Sequence, residues 1–319
     1  MTIPYLAVDD DALAETRSVN ATIEALLASS PAVHAVDPAD TRRARLEGRS
    51  WMGPIVVVEE GEDRVIAGPG GDIPLRVFTP PRARGVYLHL HGGGWTLGAA
   101  NQQDVLLWRI AREAEVAVVS VDYRLAPEHP FPAGPDDCEA AAVWLVEHGP
   151  GEWGQVPLVI GGESAGAHLA ALTMLRLRDR HDLGSAFAGA NLVFGCFDLG
   201  MTPSQRRWGD RCLVISSPII RWFSEMFLPG LSPEERRDPE ISPLWADLRG
   251  MPPALFTVGD TDPLLDDSLF MASRWEAAGS EAQLVVYPES IHGFSALPTK
   301  LARMAVASEI DFIRGRVDH

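Results

Sequence analysis

The sequence predicts an α/β fold: a mostly parallel central sheet with helices on both faces and a helical cap. Three observations predict it. From Gly85 onward, short apolar runs alternate with longer helix-like stretches, the pattern of repeated β–α units. Val116 to Val121 is almost continuously apolar, as suits a strand buried on both faces. Two segments break the alternation, the N-terminal region and roughly 200–235, and the second carries Trp208, Trp222, Phe223, Met226 and Phe227. Side chains of that size need a surface to bury against. Packing the two segments together over the C-terminal ends of the strands supplies one, where open α/β sheets bind ligands. The alternative is that these aromatics complete the core.

Each element has its own justification. Residues 9–30 suit a helix, with Leu13, Val19, Ile23, Leu26 and Leu27 as its apolar positions and Pro31 as its stop. A second, polar-rich helix fits 38–49. Ile55 to Val58 and Leu75 to Phe78 read as strands separated by a turn region at Gly68 to Gly71. Further strands are expected at 85–90, 116–121, 157–160, 190–194, 254–258 and 282–287. Helices are expected at 101–114, 135–148, 164–180, 266–278 and 298–315. The chain divides accordingly into an N-terminal helical cap segment (1–50), a first part of the core (51–199), a cap insertion (200–235) and a second part of the core (236–319).

Composition narrows the function. The chain has 319 residues, enough for one large domain with insertions. A formal charge of −17 repels phosphate backbones and argues against nucleic acid as a partner. No apolar run reaches the roughly 18 residues that a membrane helix needs. The first residues lack the basic start and apolar stretch of a secretory signal, so a cytoplasmic location is expected. Lys300 is the only lysine, and Leu297 occupies the position of the serine in a Ser-x-x-Lys site. Cys138, Cys196 and Cys212 are far apart and odd in number, which supports neither a disulfide framework nor a zinc site.

Four motifs carry chemistry, each at the end of an expected strand. Gly162-Glu163-Ser164-Ala165-Gly166 lies between a strand and a helix. A sharp strand-to-helix turn projects the serine hydroxyl, and the helix N-terminus favours developing negative charge. His91-Gly92-Gly93-Gly94-Trp95 follows the 85–90 strand. Its glycines let backbone N–H groups approach an oxyanion, together with the amide of Ala165 after the serine. A dinucleotide site is excluded because Leu97 stands where the last glycine of Gly-x-Gly-x-x-Gly belongs. His292-Gly293-Phe294 follows the last strand through a loop, 288–291, and supplies a titratable base. His168, one turn beyond Ser164, reads as structural, as do His89 and His91. Among the acids at 260–267, Asp262 is chosen to orient the base, since it lies at a strand end and Pro263 stiffens the turn. A calcium loop fails because Leu264 and Leu265 stand where a ligand and a glycine are needed. The order Ser164, Asp262, His292 is that of the α/β-hydrolase arrangement.

With Tyr123-Arg124-Leu125-Ala126-Pro127-Glu128-His129-Pro130-Phe131-Pro132-Ala133 and Asp262-Pro263-Leu264-Leu265-Asp266-Asp267 added, the sequence resembles the hormone-sensitive-lipase-like esterases, bacterial family IV, over about 75–315. The resemblance implies an α/β-hydrolase fold capped by N-terminal helices and an insertion. It also implies oxyanion donors at the N–H groups of Gly93, Gly94 and Ala165. It implies hydrolysis of short to medium acyl esters with no cofactor and no metal, and dimers are common in the family, so a homodimer is an expectation. The partner is then a small-molecule ester. Trp95, Trp222, Phe223, Met226 and Leu297 are expected to set the pocket width. An amidase or acyltransferase would use the same groups. A plant-hormone receptor on the same fold would bind without catalysis, but that lineage loses the histidine that is present here as His292.

Overall fold

The structure is a computed structural model and describes residues 5–318. Eight strands form one sheet: β1 (Gly61–Gly68), β2 (Gly71–Phe78), β3 (Gly85–Leu90), β4 (Val116–Val121), β5 (Leu158–Glu163), β6 (Phe187–Val193), β7 (Ala254–Thr261) and β8 (Ala282–Ile291). Their order across the sheet is β1-β2-β4-β3-β5-β6-β7-β8. The β1–β2 hairpin is antiparallel and joins β4 antiparallel; every other neighbouring pair is parallel. Strands β3 and β4 are buried at every residue, which is why they carry runs such as Val116-Ala117-Val118-Val119.

Helices α1 (Asp10–Ala28), α2 (Pro38–Leu46), α3 (Asp104–Ala114), α4 (Ala133–Trp153), α5 (Ala165–His181), α6 (Pro203–Arg207), α7 (Ser217–Phe227), α8 (Leu265–Ala277) and α9 (Lys300–Val317) complete the chain. Asp9 and Thr299 cap α1 and α9 with their side-chain oxygens, a standard device for satisfying free amides at a helix start. Among the described residues, no helix is long and apolar enough to cross a membrane.

One expected strand is absent. Ile55 to Val58 is irregular, and Val56 and Val57 are 58% and 57% exposed. The Val58 N–H donates to the Asp104 carboxylate and its carbonyl accepts from Arg76, so side chains satisfy backbone groups that a ladder would otherwise use. The partner of β2 is instead the polar run Gly61–Gly68, which pairs with it residue for residue. An edge strand faces solvent and tolerates Glu62, Asp63 and Arg64, so hydrophobicity is a poor guide to it. Several boundaries also differ, two of them by enough to matter. Helix α4 runs on to Trp153 through Gly149-Pro150-Gly151, and β8 runs on to Ile291, leaving no loop before His292.

The two segments that interrupt the alternation touch each other. Ile23, Val19 and Leu27 of α1 share an apolar cluster with Leu213, Trp208, Val214, Ile291 and Leu297. Arg211 pairs with Glu24 at 2.8 Å. Asn20 donates to the Glu289 carbonyl at 2.7 Å, fixing α1 along β8. Farther on, Arg42 of α2 donates to the Thr96 carbonyl at 2.9 Å and pairs with Glu128.

A buried carboxylate anchors the root of the 200–235 segment. Asp267, fully buried on α8, accepts from the N–H groups of Phe197 and Asp198 on one oxygen, and from Thr202 Oγ1 and Gln205 Nε2 on the other. Burial pushes its carboxyl up to about 7, while the four donors pull the other way. The neighbouring Asp266 accepts from the Ser204 N–H at 2.7 Å. Replacing Asp267 by Asn keeps the volume but turns an NH₂ group toward two donors. Unpaired buried donors of this kind cost about 2–4 kcal/mol, so urea unfolding of Asp267→Asn is expected to show a loss in that range.

Candidate active site

Strand β5 ends at Glu163 and α5 begins at Ala165, leaving Ser164 alone to make the turn. Its backbone has φ 57 and ψ −118, a conformation that a non-glycine residue adopts only under constraint, at about 1–3 kcal/mol. The constraint comes from both neighbouring strands. The Ser164 N–H donates to the Val193 carbonyl at 2.9 Å, holding the turn against β6. On the other side, a Cβ on Gly162 or on Gly166 would overlap the carbonyl oxygen of Leu90 in β3. The glycines around the serine are therefore a requirement of strand spacing.

The register of the last two strands brings His292 and Asp262 together. Thr261 in β7 pairs with Ile291 in parallel β8, so the next residues, Asp262 and His292, emerge side by side at the same end of the sheet. Asp262 Oδ2 lies 2.8 Å from His292 Nδ1. Asp262 Oδ1 accepts from the Leu264 N–H at 2.8 Å, so both carboxylate oxygens are held. His292 Nε2 then lies 3.0 Å from Ser164 Oγ. Asp262 and His292 are 2% and 5% exposed, which strengthens every electrostatic contact between them. The other acids of the cluster face elsewhere: Asp260 accepts from Thr261 Oγ1, and Asp266 and Asp267 hold the 197–205 backbone.

One contact to His292 has no motif to announce it. The ring of Phe194, just past β6, packs edge-on against His292 with centroids 4.9 Å apart. Phe194 has φ 36, and its N–H donates to the Thr257 carbonyl at 2.6 Å. The only signal in the sequence is its place, directly after the strand whose last carbonyl holds Ser164.

The loop after β3 lies across the serine turn. Gly93 and Gly94 have φ 121 and 59, values that glycine adopts freely, and Trp95 follows with φ 58. The loop is tied down at several points. Tyr123 donates its hydroxyl to the His91 carbonyl at 2.7 Å and stacks on the His91 ring. The Trp95 carbonyl accepts from the Ala126 N–H at 2.9 Å, and Trp95 Nε1 donates to His168 Nδ1 at 3.0 Å. Among the described residues, the N–H groups of Gly93, Gly94 and Ala165 have no hydrogen-bond acceptor.

The residues expected to shape the pocket fall in different places. Trp95 is buried, stacked on Phe227 and edge-on to His168, and so packs in the core. The Phe223 ring lies directly over Gly94, where a Cβ would overlap it, and touches Trp222 at 4.9 Å between centroids. Met226 is half-buried against the main core. Leu297 sits with Ile23 and Leu213, in the cluster that joins α1 to the insertion.

His168 is a structural residue with a pH signature. Its Nδ1 accepts from Trp95 and its Nε2 donates to the Ile241 carbonyl at 2.7 Å, a pattern only the neutral ring can make. Burial pushes its pKa down from the ordinary 6.5 to about 4. The unfolded chain therefore takes up the proton first. The stabilisation is complete above 6.5 and is lost as pH falls toward 4. His168→Gln can keep both contacts without titrating. Urea midpoints at several pH values between 4 and 6.5 are expected to fall less steeply for His168→Gln than for the unaltered protein.

Comparison with known proteins bears on the fold and the family. Residues 87–296 match a family described as having the alpha/beta hydrolase fold. Carboxylic ester hydrolase LipN of Mycobacterium tuberculosis is 35% identical over 297 residues, covering 91% of this chain and 72% of LipN. Carboxylesterase NlhH of the same organism is 35% identical over 275 residues, covering 82% of this chain and 83% of NlhH. An esterase structure from Pyrobaculum calidifontis superposes with a TM-score of 0.82 at 29% identity, covering 92% of this chain and 97% of that one. The strand order, the serine turn and these matches together place the chain in the α/β-hydrolase fold family, in its hormone-sensitive-lipase-like branch.

Proposed function

We propose that the chain is a carboxylesterase that cleaves small esters of short to medium acyl chains through a covalent acyl-enzyme on Ser164. One observation carries this reading: the line from Asp262 through His292 to Ser164 Oγ, with spacings of 2.8 and 3.0 Å, beside three amides that have no other acceptor among the described residues. The relatives named carboxylesterase and carboxylic ester hydrolase support it.

The geometry supports the following roles. Ser164 Oγ attacks the ester carbonyl carbon while His292 Nε2 takes its proton. The carbonyl electrons move onto oxygen, and the N–H groups of Gly93, Gly94 and Ala165 receive the charge; one such donor is typically worth ~3 kcal/mol in the transition state. Asp262 holds the tautomer with Nδ1–H and stabilises the imidazolium. His292 returns the proton to the leaving alkoxide. It then removes one from water, which attacks the acyl carbon, and returns that proton to Ser164 Oγ as the acid leaves. The segments 1–50 and 200–235 act together as the cap over this site, tied to each other by the Glu24–Arg211 pair and the cluster around Ile23. The Phe223 ring over Gly94 narrows the space above the oxyanion loop, which favours short acyl chains.

Ser164→Ala is expected to reduce hydrolysis of p-nitrophenyl butyrate by at least about 10⁴-fold with unchanged circular dichroism. Asp262→Asn is expected to reduce kcat by about 10⁴-fold with little change in KM, since the wrong tautomer then faces the serine. Full activity in either variant contradicts the proposed roles. Across p-nitrophenyl esters from acetate to palmitate, kcat/KM is expected to peak at C4 to C8. A maximum at palmitate contradicts the narrow pocket.

A further inference from the structure

A buried polar chain lies beneath the serine, and the acyl-transfer steps do not use it. Glu163, the residue before Ser164, places its two carboxylate oxygens 3.1 and 3.2 Å from His89 Nε2. His89 Nδ1 lies 2.9 Å from Ser120 Oγ, its register partner across β3 and β4. Gln103 Nε2 donates to the same carboxylate at 3.4 Å. His89 and Ser120 are fully buried, and Glu163 is 8% exposed. A consistent assignment runs from the Ser120 hydroxyl into Nδ1 and from Nε2–H into the carboxylate.

The placement of these residues gives the chain a mechanical meaning. His89 stands two residues before the loop that carries Gly93 and Gly94, and Gln103 stands at the end of the same connection, directly before α3. Glu163 therefore grips both ends of that connection from the residue next to Ser164. There is little slack between the parts: a Cβ on Gly92 would come within 2.9 Å of the Glu163 carbonyl oxygen and 3.5 Å of Ser164 Cβ. A second carboxyl nearby, Glu309 of α9, is fully buried; burial first, and the charge of Glu163 second, push it up to about 8. Glu309 thus keeps its proton at neutral pH.

We propose that Glu163 is a positioning residue: through His89 and Gln103 it sets the distance between the oxyanion donors and the hydroxyl of Ser164. This rests on the acyl-enzyme reading above. The probe is a short-chain alkyl trifluoromethyl ketone. Ser164 Oγ adds to its carbonyl carbon, the proton passes to His292, and the carbonyl oxygen becomes an oxyanion held by the loop. Removing the grip spoils the fit to an oxyanion more than the fit to a substrate, and displacements near 1 Å can cost about 100-fold.

For Glu163→Ala, the ketone Ki is expected to rise about 30- to 100-fold and kcat to fall in parallel, with KM within about threefold. Glu163→Gln retains an oxygen that accepts from His89 and is expected to recover both constants to within about threefold. Ser120→Ala cuts the far end of the chain without touching the serine turn. It is expected to shift Ki and kcat in the same direction by about 3- to 10-fold, and it carries the test if Glu163→Ala does not fold. Unchanged Ki and kcat in the folded variants overturn the proposal. So does a matching rise of KM and Ki, or a Gln variant as impaired as the Ala one. Ketone binding by Ser164→Ala as tight as by the unaltered protein removes the acyl-enzyme reading itself, and this proposal with it; failure at Glu163 alone leaves that reading standing.

Discussion

The structure depends on how closely three parallel strands approach one another at a single turn. Strand β5 must pass beneath the Leu90 carbonyl and deliver Ser164 into a conformation that its side chain disfavours. The strain is local, on the order of 1–3 kcal/mol, and the hydrogen bond from Ser164 N–H to Val193 helps hold it. Both neighbours take part in the consequence. From β3 comes the loop with its free amides, and just past β6 comes the Phe194 ring that packs on His292. A site built on strand ends inherits the rigidity of the sheet, which suits chemistry that tolerates little misplacement.

The same logic explains where buried charge occurs. Asp262 is fully engaged by Leu264 and His292, Asp267 by four donors, and Arg76 by Asp104 at 2.6 Å. Each joins elements that are distant in sequence: β7 to the end of β8, α8 to the root of the insertion, β2 to the start of α3. A buried polar contact of this kind adds little net stability over an apolar one, but misplacing either partner leaves a buried group unsatisfied. These contacts tie together the elements they join.

Much of this was legible in the sequence because the chemistry demands unusual residues. Glycines on both sides of a serine, three in a row after a strand, and a histidine and an aspartate beyond late strands all report close approach or strand-end geometry, although the last strands run on to Thr261 and Ile291, farther than their apolar runs suggest. What stayed hidden has a common cause. Strand β1 is polar because it lies at an edge, while the apolar Ile55-Val56-Val57-Val58 run is largely exposed and bonds to Asp104 and Arg76. Phe194 and Asp267 matter through contacts with residues far away in the chain, and nothing in their immediate neighbours says so. Trp95 looked like a pocket wall because of its place after the glycines, yet it is packed between His168 and Phe227. Pattern reveals the faces of elements; which distant partner a buried side chain finds is decided by tertiary packing.

The central claim is that Ser164 Oγ becomes bonded to the acyl group during turnover. Rapid acid quench of the protein mixed with p-nitrophenyl butyrate, followed by peptide mass spectrometry, tests it directly. The account predicts an initial release of about one equivalent of p-nitrophenolate per chain when deacylation is the slower step, and a butyryl group on the peptide that contains Ser164. Steady turnover with the acyl group found on another residue, or trapped on none under conditions that show a burst, would contradict it.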